Sequence, residues 1–526
     1  RGGFGREAAK AVANASLPLL RGLVDKSLIA IDENGRYQIH ELLRQFSAEK
    51  LAQSATEETN VYGLHSKHFF DFVSTEGSKV LGKQAKNILS SFRKDMDNIR
   101  SAVHWALNHR PEAFTIDFSF GFFRIFDFQG WYLEGESIFS QITTLLECSI
   151  KDIDVLKSEP SLPENCIRWL GYSIYLGSLK WRLGQLESAE EILRGNLALL
   201  SKTEQKQAQW IKAFCLISLS VIFQYQGKYL HAKELIQESG HLFLAVGDSG
   251  YYAFTLFLQG SYAQFTGDYS HSHALLKESE RILNELDRKF HLTFTWAALG
   301  RLFQYEGQFT KAKKFIWSSL DLRNELNYQI GPANSFFDLG EISRLMENYD
   351  EARFFYQKSI QVADESNVPS SISIALWGLG NLANAQGDYA LAQHHFDKSG
   401  LIAHPRAGII GGPGWSALGL GQFELAEQIF LSNLQQMLDN GDKPFGLDAL
   451  LGLACIQANK GRIDYALEQC ALVRFHPSSH FEIKMKAHRL WIEHGAASSS
   501  ETRANAERIG KELDLLATAE KVFVET

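Results

Sequence analysis

Few side chains in this chain stand at spacings that could do chemistry, and each such set meets a physical objection. Histidines pair at His65 and His68, at His271 and His273, and at His394 and His395. Only the first pair shares a helical face, and no cysteine or carboxylate cluster completes four ligands at zinc-like spacing. They read as surface histidines, and no metal is expected. The five cysteines, Cys148, Cys166, Cys215, Cys455 and Cys470, are scattered without a CxxC pair and read as reduced core thiols. The run Gly77-Ser78-Lys79-Val80-Leu81-Gly82-Lys83 approaches a phosphate loop, but Gln84 stands where the metal-binding hydroxyl belongs. No strand precedes it, since Phe69-Phe70-Asp71-Phe72 looks helical. No Gly-x-Ser-x-Gly elbow occurs. Neither a catalytic residue nor a cofactor is therefore expected in this chain.

Binding chemistry has better material. Four residue sets recur in register. They are Phe254, Phe257, Ser261 and Gln264; Phe294, Ala297, Arg301 and Gln304; Asn334, Phe337, Glu341 and Arg344; and Ile374, Trp377, Asn381 and Asn384. Aromatics beside Arg, Asn and Gln suit a recognition groove, as rigid apolar anchors with a few polar selectors. The competing reading for the aromatics, Phe254 and Phe294 above all, is that they fill space between helices.

The elements that would position these residues are repeats. Gly-x-aromatic-x-x-Ala begins at Gly184, Gly227, Gly267, Gly307, Glu347, Gly387, Gly421 and Gly461, most often forty residues apart. Seven residues earlier stands a small residue: Gly177, Ser220, Gly260, Gly300, Gly340, Gly380, Gly414 or Ala454. The small residue lets a second helix approach, and the hairpin glycine supplies the left-handed turn that ends the first helix. Ser239, Ser279, Ser319, Ser359 and Ser399 drift in step, twelve residues after the hairpin. Each unit reads as an antiparallel helix pair, and the period marks a solenoid in which units bury their apolar faces against neighbours. The four sets above then face the concave side. One step is six residues shorter and falls at Ile409-Ile410-Gly411-Gly412-Pro413-Gly414, where glycines read as replacing part of a helix. A degenerate unit centres on Gly130, Tyr132 and Gly135. The pattern resembles the tetratricopeptide repeat, lengthened beyond its usual 34 residues.

At 526 residues the chain exceeds one compact core, which a solenoid tolerates. No apolar run of eighteen residues is evident, so no membrane span is expected. Net charge is −8, from 53 basic and 61 acidic residues, which gives no general pull toward nucleic acid. The opening Arg1-Gly2-Gly3-Phe4 reads as the middle of a domain, so a fragment of a longer cytoplasmic protein is expected.

The first fifty residues follow another pattern. Ala8–Val12 and Leu17–Val24 read as short helices, and Leu28–Ile31 and Tyr37–His40 as strands around the turn Asp32-Glu33-Asn34-Gly35. Glu41–Gln53 reads as an amphipathic helix with Leu42, Leu43, Phe46 and Leu51 apolar. This order suggests a winged helix. Residues 1–55 hold eight Lys/Arg against six Asp/Glu, too weak a balance for a groove binder.

Leu23-Val24-Asp25-Lys26-Ser27-Leu28 and Arg36-Tyr37-Gln38-Ile39-His40-Glu41-Leu42-Leu43-Arg44-Gln45-Phe46 resemble the winged-helix segment of the STAND signal-transduction ATPases. Met96-Asp97-Asn98-Ile99-Arg100-Ser101-Ala102-Val103-His104-Trp105-Ala106-Leu107 is similar to the stretch joining that domain to tetratricopeptide repeats in bacterial members. Ile39-His40-Glu41 resembles the family's Met-His-Asp motif, which implies that His40 senses the β-phosphate of ADP bound by an upstream NB-ARC-type module. The competing role for His40 is to end a strand and cap the helix from Glu41.

The expected architecture is thus mainly α: a winged helix over 1–55, a helical connector over 56–112, a tetratricopeptide-like solenoid over 113–495 and a capping helix over 496–526. The resemblance implies the sensing and autoinhibitory region of a regulatory ATPase, with a protein or small-molecule trigger in the groove and ADP or ATP in the intact protein. Oligomerisation on activation would accompany it. The alternatives are an interaction scaffold without a switch, or the regulatory part of a transcription activator.

Overall fold

A computed structural model describes residues 2–82, 84–147, 161–329, 331–366, 368–400, 412–496 and 498–525. The fold is mainly α, a solenoid of tetratricopeptide-like helix pairs, with one two-stranded sheet among the described residues. The chain divides into two compact units, Arg1–Cys215 and Leu216–Thr526, and the division falls inside the helix Lys206–Tyr225. Contrary to the expectation from sequence, that helix is long and apolar enough to cross a bilayer; 67% of the relevant window is buried in protein.

The first unit begins with α1 (Arg6–Ala13), α2 (Leu17–Asp25), β1 (Ile29–Ile31), β2 (Tyr37–Ile39) and α3 (Glu41–Ala52). Ser16 caps α2 by accepting the Leu19 N–H, and Pro18 sits in its first turn. The strands pair antiparallel with Ile29 opposite Ile39. Asp32 accepts the N–H groups of Asn34 and Arg36, and Gly35 takes a φ of +74°, which closes the turn. Ala9, Ala15, Leu20, Ile29 and Tyr37 form a small core. The amphipathic helix α3 buries none of its residues: Leu42 and Phe46 are 69% and 58% exposed.

Beyond it come α4 (Ala55–Gly77), α5 (Ala85–Lys94), α6 (Met96–His109), α7 (Ile116–Gln129) and α8 (Tyr132–Glu147). A Cβ on Gly77 would lie 2.4 Å from the Gly121 Cα, so α4 and α7 cross backbone to backbone. The glycine that imitated a phosphate loop is therefore a packing contact; Lys83 lies outside the described residues. Phe118, Phe122 and Phe126 are fully buried along α7. Gly130, at φ +73°, turns the chain from α7 into α8, where the degenerate unit was expected. His65 packs on Phe69, and burial pushes its pKa down to about 4.

In the second unit the repeat chemistry is visible position by position. Gly267 and Gly307 end their helices at φ +74° and +75°, and Glu347 adopts the same left-handed conformation at +61° without being glycine. The next N–H closes each end: Asp268 N–H donates to Ala263 O at 2.8 Å and Gln308 N–H to Phe303 O at 2.8 Å. Each glycine at the small position faces the side chain sixteen positions later. A Cβ on Gly300 would stand 2.5 Å from Ile316, on Gly340 2.6 Å from Tyr356, and on Gly380 2.6 Å from Phe396. The Tyr356 ring is gripped twice, since a Cβ on Gly378 would come within 2.5 Å of it.

The drifting serines are inter-helix staples. Ser279, Ser319 and Ser359 are buried, and their hydroxyls donate to Ala253, Thr293 and Ala333 carbonyls at 2.7, 2.7 and 2.8 Å. Ser399 bonds Phe396 in its own helix, at the end of a shortened second helix, Tyr389–Ser399. The following first helix, Pro413–Gly419, has 7 residues against 17 in Pro369–Ala385; residues 409–411 of the glycine cluster lie outside the described residues. The C-terminus departs from a single polar cap: Ser500–Glu512 and Leu515–Glu525 are two helices, and Leu515, Ala519 and Val522 join the core.

Candidate functional site

The residues expected to line a groove divide into three groups. Phe337 and Trp377, each 1% exposed, belong to a core cluster with Tyr356 and Phe396 and offer no surface to a ligand. They were expected in the groove, as was Glu341, which is 3% exposed and is spent on Arg344 and the Tyr356 hydroxyl. Both rings lie in the layer between helices instead, Phe337 against Tyr356 and Trp377 against Phe396.

The second group is spent on internal contacts. Phe254 stacks on His291 at 4.7 Å and meets Phe294 at 6.0 Å, and the Arg323 guanidinium lies over Phe294. Phe257 is buried against Phe294. Gln264 donates to the Ala298 carbonyl at 2.9 Å, Gln304 is buried, and Arg301 pairs with Asp338 at 3.2 Å. Asn334 is half-buried beside Ser371. These residues hold successive first helices together.

Arg344, Asn381 and Asn384 form the third group, at the wall of a cavity of about 770 Å³. The cavity lies at the C-terminal ends of Gly331–Leu345, Pro369–Ala385 and Lys443–Asn459, and the helix Phe481–Gly495 closes its far side. Asn381 accepts the Gly412 N–H at 3.1 Å, while Asn384 donates to Gly412 O at 3.3 Å and accepts from the Ser416 hydroxyl at 2.9 Å. These two amides thus fix the start of the short helix that forms part of the wall.

Helix Phe481–Gly495 reaches the cavity because the segment before it is fastened to hairpin turns of much earlier units. Tyr269 OH donates to Ser478 O at 3.1 Å, Tyr305 stacks on His480 at 5.1 Å, and Phe481 meets Phe309 at 5.2 Å. Gly267 and Gly307 admit this segment; a Cβ on either would strike Ser478 or Phe481 at 2.3 or 2.6 Å. The tightest tie is ionic. Arg344, 6% exposed, reaches Glu341 at 2.9 Å and Glu482 at 2.9 Å, and the Tyr356 hydroxyl donates to Glu341. Burial opposes charge on Glu482, but Arg344 and Lys486 outweigh it and hold the carboxyl at about 2. Burial likewise opposes charge on Arg344, and Glu341 and Glu482 more than offset it.

Sequence reasoning missed most of this lining. Tyr349 and Tyr389 are the aromatics of the recurring hairpin pattern, and both border the cavity. Met485, Lys486, Arg489 and Glu493 carried no periodic signal, because the helix Phe481–Gly495 lies past the last copy of the pattern; Trp415 follows the small residue Gly414, in register with Ser261, Arg301, Glu341 and Asn381. Among the described residues no group of three or more His, Cys, Asp or Glu could hold a metal ion. Cys166, Cys215, Cys455 and Cys470 are buried and free, and Cys148 lies outside the described residues. In the first unit His40 caps α3, its Nδ1 accepting the Leu42 N–H at 3.3 Å.

Among solved structures, a Rap protein complexed with competence and sporulation factor is 13% identical, with 78% of this chain and 98% of that one covered and a TM-score of 0.45. The STAND protein with a tetratricopeptide repeat sensor from Pyrococcus horikoshii is 12% identical, with 97% of this chain and 63% of that one covered and a TM-score of 0.34. The apo form of the quorum sensor NprR from B. thuringiensis is 13% identical, with 80% and 97% covered and a TM-score of 0.34. No curated protein matches the chain. Residues 333–365 match the family model described as tetratricopeptide repeat, so the sequence match falls on the unit that supplies Arg344 and Tyr349 to the cavity.

Proposed function

We propose that the unit Leu216–Thr526 recognises a peptide segment of a partner protein in the cavity beside Arg344. The observation that carries this is the cavity itself. Its volume of about 770 Å³ falls in the range of pre-formed ligand sites, and aromatic rings there alternate with amides and charges. A buried ion cluster braces its wall; such clusters contribute little net stability and serve better to fix one arrangement.

In the intact protein this recognition would act as a trigger, in line with the resemblance to STAND ATPases. Two features of the first unit support that extension. The apolar stripe of α3, Leu42 and Phe46 foremost, is uncovered and suits docking against a nucleotide-binding module. His40 accepts through Nδ1, so a neutral ring carries its proton on Nε2, exposed and able to donate to a phosphate of ADP or ATP. In this reading the segment 1–55 is the winged helix and His40 the nucleotide sensor.

The test uses the full chain and two cavity-filling variants, Ala385→Trp and Met485→Trp, both at exposed lining positions. Peptides selected from a displayed random library against the wild type should lose binding to both variants. Bound peptide should also slow hydrogen exchange in 345–349, 384–389 and 481–494. Selected peptides that bind the variants equally well would refute the cavity as the site.

A further inference from the structure

Charge around the cavity is not neutral once the groups behind its wall are counted. Arg344, Lys486 and Arg489 line it, as do Glu347, Glu482 and Glu493. Behind them, Glu341 holds Arg344 at 2.9 Å and Asp448 holds Lys486 at 3.0 Å, both carboxylates 3% exposed. These two buried groups tip the local balance to two negative charges. Each lining cation is also already committed: Arg344 to two carboxylates, Lys486 to Asp448 and the face of Trp415 at 4.6 Å, and Arg489 to Glu347. Glu493 is exposed on the wall and forms no ion pair among the described residues.

Gly331–Leu345, Pro369–Ala385 and Lys443–Asn459 all end at the cavity with their C-termini, each equivalent to about half a negative charge. The helix ends add no net sign, because the N-termini of Tyr349–Glu365, Tyr389–Ser399 and Phe481–Gly495 reach the cavity as well. Tyr349, Tyr389, Trp415 and Phe481 supply ring faces at the same place. Carboxylates and aromatic faces together are the surroundings that stabilise a cation as it leaves water.

We infer that the cavity selects a basic segment, one that inserts an Arg or Lys side chain between Glu493 and the ring of Tyr389. The inference rests on the proposed function, since it names the chemistry of the segment that this cavity takes. A bound guanidinium would gain Glu493 as partner without displacing any existing pair.

Three octapeptides on one Gly/Ser frame carry the test: one with three arginines, one with three glutamates and one uncharged. Binding to the full chain is measured by fluorescence anisotropy at low and physiological salt. The arginine peptide should bind at both, and Glu493→Gln should weaken it about threefold to tenfold. Glu234→Gln, an exposed carboxylate away from the cavity, should leave it unchanged and so exposes diffuse attraction to a chain of net charge −8. Equal loss in the two variants would overturn the inference. Binding of the glutamate or uncharged peptide instead, blocked by Met485→Trp, would overturn the charge selection and leave the cavity reading standing. Binding of none of the three would overturn both.

Discussion

Asp442 sits in a place where a carboxylate is expensive. It caps the helix Lys443–Asn459, accepting the Phe445 N–H at 3.2 Å, and is 4% exposed. No cation pairs with it among the described residues, and its charge is felt by Tyr229 and Tyr269. Burial pushes its pKa from 3.8 up to about 7, against a smaller opposing effect of the Phe445 N–H. A carboxyl raised in the folded state penalises folding once it ionises. The penalty is absent below the unfolded value, near pH 4, and grows as pH rises to about 7. A lift of that size corresponds to about 4 kcal/mol at 1.36 kcal/mol per pH unit; relaxation around the ionised group leaves about 1–3 kcal/mol to be measured. Asp442→Asn keeps a good capping side chain and removes the charge. Urea unfolding at pH 5 and pH 8 should show the variant about 1–3 kcal/mol more stable at pH 8 and only about a third as much at pH 5. A variant less stable by the same amount at both values would mean that the ionised cap is favourable, and the reasoning would fail.

Two substitutions test the assignment of repeat positions. Trp377→Ala should destabilise by about 3–5 kcal/mol, as for other large buried aromatics, and lower the melting temperature; an unchanged melting temperature would return that ring to the groove. Ser319→Ala should cost about 1–2 kcal/mol through loss of the 2.7 Å staple to Thr293, read as a lower urea midpoint, whereas a neutral result would make the recurring serines incidental.

How much of this was legible from the sequence depended on which interactions repeat. The hairpin glycines and the small residues before them recur, and the left-handed turns and close helix crossings stand where that pattern put them. The partner of each glycine at the small position recurs too, at Leu276, Ile316, Tyr356 and Phe396, but its identity varies because any bulky apolar group fills the notch. Glu347 shows the limit of reading by residue type, since the turn imposes its geometry on a non-glycine. Groove positions were harder. A helical register gives the direction of a side chain relative to its own helix, not to its neighbours, and Trp377 and Phe337 lie inward. The cavity was invisible because it joins hairpin turns to a helix beyond the last copy of the pattern, and no periodicity links Arg344 to Glu482. His40 was legible as a cap from its place before Glu41.

The bond from Tyr269 to Ser478 spans 209 positions, and that from Arg489 to Glu347 spans 142. A stack held only by adjacent members behaves as a one-dimensional chain, fraying from its ends and tolerating truncation. Ties of this reach add a second dimension of connectivity. Cutting away the last helices would strip cover from turns two hundred residues upstream, so this part of the molecule is expected to melt as a cooperative whole rather than unit by unit.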